Sequence, residues 1–187
     1  MMLKKANAIL ALLSSFALLV HMGFCAFAYL TFYYNPTLKT LTALPFALLT
    51  CAHAVCGMCA VFLLGDGTRL DVYQRQNAST IVQRVSAAFI FPLLIVHLRT
   101  FELLSSFSES KAWVPFALLI CLQVAFYAIV TAHVATSFSR AFVTLGLLAD
   151  RKKVRVLDRL AYLVCTAAFL IASVSVVRGE LLMFLQK

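Results

Sequence analysis

Four side chains in this sequence can both ligate a metal and exchange a proton near neutral pH: His21, His53, His97 and His133. Neutral imidazole is a strong ligand for haem iron. Two axial imidazoles saturate the iron and make it an electron carrier rather than an oxygen site. Four histidines make two such pairs. The same residues could instead relay protons, or simply bond one helix to another. The six cysteines add little. Cys56 and Cys59 are the only close pair, and Ala60 rather than His follows them, which excludes the attachment motif of a c-type haem. Zinc would need more ligands than that pair offers, so the thiols read as buried apolar groups.

The elements that must position the histidines are membrane spans. Of the 187 residues, 63% are hydrophobic and 12% charged, against about 45–50% and about 25% in soluble domains. That balance excludes a soluble globular enzyme, a disordered chain and a nucleic-acid-binding domain. A spanning helix needs about 20 mostly apolar residues, and the stretches 6–32, 41–64, 81–104, 113–138 and 160–185 supply five. The fifth has an uncharged run only from Leu160 to Val177, because Arg178 and Glu180 follow. Asn35-Pro36, Gly65-Asp66-Gly67, the segment 105–111 and the segment 150–159 break the spans. The first span is too long for a signal-peptide core and ends in bulky aromatics from Tyr29 to Tyr34, which suit a membrane interface. The expected fold is an all-α integral membrane five-helix bundle, one domain over residues 1–187. Each of its first four helices carries one histidine.

Basic residues orient the bundle. Eleven of the sixteen lysines and arginines fall on one side if the N-terminus is cytoplasmic; Lys39, Arg99, Lys111, Arg178 and Lys187 fall on the other. The positive-inside bias places the N-terminus in the cytoplasm and the C-terminus outside. The net charge of +9 is then mostly topology, and the basic loop 151–159 could also dock a soluble partner or anionic lipid. On this topology the sequon Asn77-Ala78-Ser79 faces the cytoplasm and stays unused.

Depth suggests how the histidines pair. At about 1.5 Å per residue, His21 and His97 lie roughly 22–24 Å from the cytoplasmic side. His133 lies roughly 30 Å from the outer side, and His53 roughly 18 Å from it, at mid-depth. The assignment is His21 with His97 at an outer site and His53 with His133 at an inner one. Gly57 and Ala60 leave the His53 face small enough for a flat macrocycle. Pro92 should kink the helix before His97. Arg140, two turns after His133, could pair a propionate or simply snorkel at its helix end.

With those residues in place, the chain resembles the single-chain, five-helix, dihaem cytochrome b anchor of succinate:quinone oxidoreductases, the succinate dehydrogenase and quinol:fumarate reductase group. The resemblance runs from about Leu18 to Phe184. It is sharpest at His53-Ala54-Val55-Cys56-Gly57, at Gln83-Arg84-Val85-Ser86 and its spacing to His97-Leu98-Arg99, and at His133 before a basic loop. Ala87 and Thr136-Ser137 depart from the family's usual Gly and Asn-Gly. Cytochromes of the bc and b561 types carry two ligand histidines on one helix, and no helix here does.

The resemblance implies two non-covalent haem b groups held by His21/His97 and His53/His133, with Arg84, Ser86, Arg99 and Arg140 as further cofactor-pocket candidates. Glu102 is the quinone or proton candidate. It implies a membrane quinone, menaquinone by family analogy. It also implies a flavoprotein carrying FAD and an iron–sulfur protein on the cytoplasmic face of a bacterial inner membrane. Dicarboxylate chemistry would then belong to those subunits, since no flavin or iron–sulfur motif occurs in this chain. Some fumarate-reducing relatives return protons through a buried Glu in helix five. The run from Leu160 to Val177 has no acidic residue, which argues against that route here. Two alternatives remain: a small transporter or proton channel with a His relay, and a haem-free structural membrane subunit.

Overall fold

The computed structural model describes residues 2–64 and 74–186, with the side chains of 64 and 74–79 left out. The described chain is all-helical. Its five helices are α1 (Met2–Thr31), α2 (Pro36–Leu64), α3 (Gln74–Glu109), α4 (Trp113–Leu145) and α5 (Arg151–Gln186). Each is long and apolar enough to cross a membrane, with mean hydropathy between 1.8 and 2.3. The Gly65–Gly67 turn and the side chains of the 77–79 sequon lie outside the described residues.

The turns follow local chemistry. Asn35 Oδ1 accepts the Leu38 amide at 3.0 Å, and Pro36 takes the first helical position of α2, where a missing N–H costs nothing. Gly146 ends α4 in the left-handed conformation at φ 79°, donating back to Val143 while Leu147 donates to Phe142. Asp150 Oδ1 then takes the Lys152 amide at 2.7 Å and starts α5. The 151–159 segment, expected as a loop, is the first turns of α5. Likewise α3 begins before residue 81. Pro45 and Pro92 sit inside α2 and α3 without ending them.

Lipid tails are as apolar as leucine, so packing and interhelical hydrogen bonds, not exclusion from water, must hold these helices together. The most enclosed helix is α4, which packs against α1, α3 and α5, whereas α2 packs on α1 and buries only Ala60 among its described residues. One core cluster joins Leu18, Phe126, Tyr127, Val130, Ala172 and Val176 across α1, α4 and α5. A second, at the end opposite the N-terminus, stacks Phe116 on Phe184 with ring centres 4.4 Å apart. There Lys111 Nζ donates to the Phe184 carbonyl at 3.1 Å, tying the α3–α4 turn to the end of α5. Many large apolar side chains face outward, Phe62 at 82% exposure among them, as lipid-facing surfaces must.

The end of α5 lies at Gln186, close to the expected end of the fifth span at 185. Arg178 and Glu180 do not end the helix. Arg178 reaches the Leu30 carbonyl at 3.4 Å and covers the Phe32 ring, while Glu180 turns inward to 6% exposure and accepts the Tyr29 hydroxyl at 2.6 Å. A buried acidic residue therefore does occur in the fifth helix. Gly179 permits the contact, because a β-carbon there would collide with the Tyr29 ring. Gly179→Val should cost about 1–3 kcal/mol by overpacking. The melting temperature of the solubilised protein should fall and should partly recover when Tyr29→Ala is added; an unchanged melting temperature contradicts the close approach.

Candidate cofactor site: four anchored imidazoles

Each histidine is half-buried, and each has its Nδ1 against an oxygen on a neighbouring helix. The partners fix the tautomers. His53 Nδ1 lies 3.3 Å from the Asn7 carbonyl oxygen, which can only accept, so Nδ1 carries the hydrogen. His133 Nδ1 lies 3.1 Å from the Gln83 carbonyl and 2.9 Å from Ser86 Oγ. Ser86 gives its own hydrogen to the Gln83 carbonyl, so it too accepts from the ring.

At His97 the deduction runs through three bonds. Thr100 donates to the Val96 carbonyl, so its oxygen accepts, and the Gln123 amide N–H fills it at 2.5 Å. Gln123 Oε1 is thereby turned to His97 Nδ1 at 2.7 Å, and the ring must donate. At His21, the Thr42 hydroxyl lies 3.3 Å from Nδ1 and within reach of the Leu38 and Lys39 carbonyls of its own helix.

His53, His97 and His133 are thus Nδ1–H tautomers with a lone pair on Nε2. Metal-ligating histidines show this pattern, because the anchored N–H orients the ring and raises the basicity of the ligating nitrogen. The anchors are reciprocal: α1 and α2 hold each other's histidine, and so do α3 and α4.

The structure brings His53 and His133 together across the two helix pairs, with ring centroids 6.4 Å apart and an interplanar angle of 63°. An imidazole nitrogen sits about 2 Å from a metal it ligates and about 1.1 Å from its own ring centre, so two rings on opposite sides of one metal have centroids about 6.2 Å apart. The observed separation fits. Among the described residues no three of His, Cys, Asp and Glu converge as a metal set. A pair of imidazoles suffices only where the group bound brings its own equatorial donors, as a macrocycle does. Asn7 Oδ1 and Thr50 Oγ1, both beside His53 in helix register or contact, are buried without a hydrogen-bond partner among the described residues. They leave acceptor capacity in that wall.

No ring contact joins His21 to His97 among the described residues, but both border one aromatic cluster. His21 stacks on Phe46 at 5.9 Å, and Cys25 Sγ lies 3.7 Å from its Nε2. His97 lies 5.1 Å from Phe126 and 5.5 Å from Phe101, and Phe101 in turn meets Tyr29. Phe46, Phe126 and Tyr29 all belong to, or pack on, the central core cluster.

The remaining candidates divide. Ser86 is buried against His133, and Arg140 is held at the same end by Thr80 at 3.2 Å and Gln83 at 3.4 Å. Arg84 is half-buried one residue after Gln83. Arg99 and Glu102 instead pair with each other at 2.8 Å, with side chains 72% and 71% exposed. Gly57 faces the Asn7 side chain, so α1 covers the small face expected beside His53. All six cysteines are free; Cys165 is buried, but Cys51 and Cys121 are exposed, unlike the buried thiols expected. Sequence reasoning missed Asn7, Thr42, Thr100 and Gln123. Only Gln123 carried a signal, as a lone amide inside a long apolar run.

Comparison with protein-family models, curated proteins and solved structures finds no match to this chain.

Interhelical hydrogen bonds in membranes average about 0.6 kcal/mol and reach about 1.7. The fully buried Gln123 bridge should lie at the upper end. A double-mutant cycle of Gln123→Leu with His97→Ala should give a coupling of about 1–2 kcal/mol. Gln123→Leu and Ser86→Ala, in separate networks, should be additive. Zero coupling in the first cycle would refute the bridge.

Proposed function

We propose that this protein is a dihaem cytochrome b membrane anchor of a succinate:quinone oxidoreductase, set in a bacterial inner membrane with its N-terminus in the cytoplasm. The observation that carries the reading is the His53–His133 pair: two imidazoles from different helices, 6.4 Å apart, each with Nδ1 anchored elsewhere. His21 and His97 are the second pair.

The chain's own residues hold and orient. His53 and His133 present unprotonated Nε2 atoms because Asn7, Gln83 and Ser86 occupy Nδ1. Gln123 does the same for His97, and Thr42 sits against Nδ1 of His21. Arg140, steadied by Thr80 and Gln83, places a positive charge at the N-terminal end of the bundle, suited to a carboxylate there. When bound, each haem supplies a one-electron couple, and the protein sets its ligation and dielectric.

Partners follow from the resemblance: a flavoprotein with FAD and an iron–sulfur protein on the cytoplasmic face, and menaquinone in the membrane. The buried Glu180, bonded to Tyr29, is better placed than the exposed Glu102 to exchange a proton within the membrane.

A second reading has an observation in its favour. Four histidines that each bond a neighbouring helix are also what a haem-free structural subunit would need. The transporter reading gains no such support, since each of the five helices runs unbroken through its described length.

The discriminating measurement is a reduced-minus-oxidised visible spectrum of the purified protein. An α-band at about 560 nm, as bis-histidine b-type ligation gives, is expected. Changing any one of the four histidines to Ala should remove about half of it. A colourless protein would sink the dihaem reading in favour of the structural one.

A further inference from the structure

Away from the histidines, α1, α4 and α5 enclose a lateral groove of about 350 Å³ in the half of the bundle that holds the N-terminus. It opens sideways into the membrane: Phe16 and Leu160 on its walls are 70% and 51% exposed. Its floor is made by Leu18, Ala161 and Cys165, all buried. Two hydroxyls line it, and both are already committed. Ser15 donates to the Ala11 carbonyl at 2.8 Å, and Thr131 to the Tyr127 carbonyl at 2.7 Å. The groove therefore offers hydrocarbon and no free hydroxyl hydrogen, which suits an alkyl chain and does not suit a quinone ring whose carbonyls want donors. A volume this small also cannot seat a partner helix, which is about 10–12 Å across.

The rim toward the N-terminal end is basic on two separate helices. Lys5 lies seven residues before Leu12, on the same face of α1, and Lys153 lies four residues before Leu157 on α5. At about 1.5 Å per residue, these lysines stand about 10 Å and about 6 Å beyond the groove's last apolar residues, the depth of a headgroup layer. Both are exposed. The nearby Asp150 carboxylate is occupied in capping the Lys152 amide.

We infer that this groove is a binding site for one anionic phospholipid, with an acyl chain between α1, α4 and α5 and the phosphate between Lys5 and Lys153. The site ties the first helix to the last at the end of the bundle where α5 enters the membrane.

The test uses the full-length protein in neutral detergent, titrated with dioleoyl phosphatidylglycerol or dioleoyl phosphatidylcholine and read by native mass spectrometry. One phosphatidylglycerol per chain should bind about 30-fold more tightly than phosphatidylcholine, about fivefold per lysine. Lys5→Gln with Lys153→Gln should abolish that preference and leave the weaker chain binding. Ala168→Phe, which fills the groove, should remove both lipids. The lysine variant alters no packed residue, so it decides the matter even if Ala168→Phe fails to fold. Equal binding of the two lipids by the unaltered protein would overturn the proposal. So would a preference that survives loss of both lysines, or displacement of phosphatidylglycerol by an equimolar short-chain quinone.

Discussion

An imidazole N–H inside a membrane must find an acceptor, because no water is there to supply one and an unbonded polar group costs several kcal/mol. Most of this bundle's specific geometry follows from meeting that demand four times. His53 reaches back to the Asn7 carbonyl and His21 to Thr42, which locks α1 against α2. His97 reaches Gln123 and His133 reaches Gln83 and Ser86, which locks α3 against α4. The bundle is built as two hairpins whose internal polar bonds are paired, with α5 laid across them.

What the hairpins share is then decisive. The anchors engage Nδ1 on each ring and leave Nε2 of His53, His97 and His133 for whatever lies between hairpins. The His53–His133 contact crosses from α2 to α4, while α2 packs chiefly on α1. A group gripped by those two rings would hold α2 to the rest of the protein, so ligand and fold would be coupled in the sense of metal-linked folding. Elsewhere α5 ties the hairpins together, to α1 by the Tyr29–Glu180 bond and the close approach at Gly179 and to α4 by the Phe116–Phe184 stack.

Much of this was legible in the residues alone. The five spans follow from hydropathy, and one histidine per helix follows by inspection. The helix ends were less legible, for a physical reason: apolar runs mark the hydrocarbon layer, whereas helices continue through the headgroup layer on polar residues. So α5 begins at Arg151 rather than at Leu160, and it runs on past Arg178 because that side chain escapes to a backbone carbonyl and an aromatic face. Glu180 lies inside the expected span but three residues beyond the uncharged run that ends at Val177. Gln123 and Thr100 were hidden because their meaning is purely tertiary; an amide in an apolar helix is informative only once the ring 26 residues before it is known to lie 2.7 Å away.

In the proposed dihaem protein, His53 and His133 would share one iron and His21 and His97 another. Electron paramagnetic resonance of the oxidised protein, with haem counted by extraction, tests it most directly. Two low-spin ferric haems per chain are predicted, with His53→Ala and His133→Ala erasing the same signal and leaving the other intact. A haem-free protein, a single haem, or different signals lost in those two variants would contradict it.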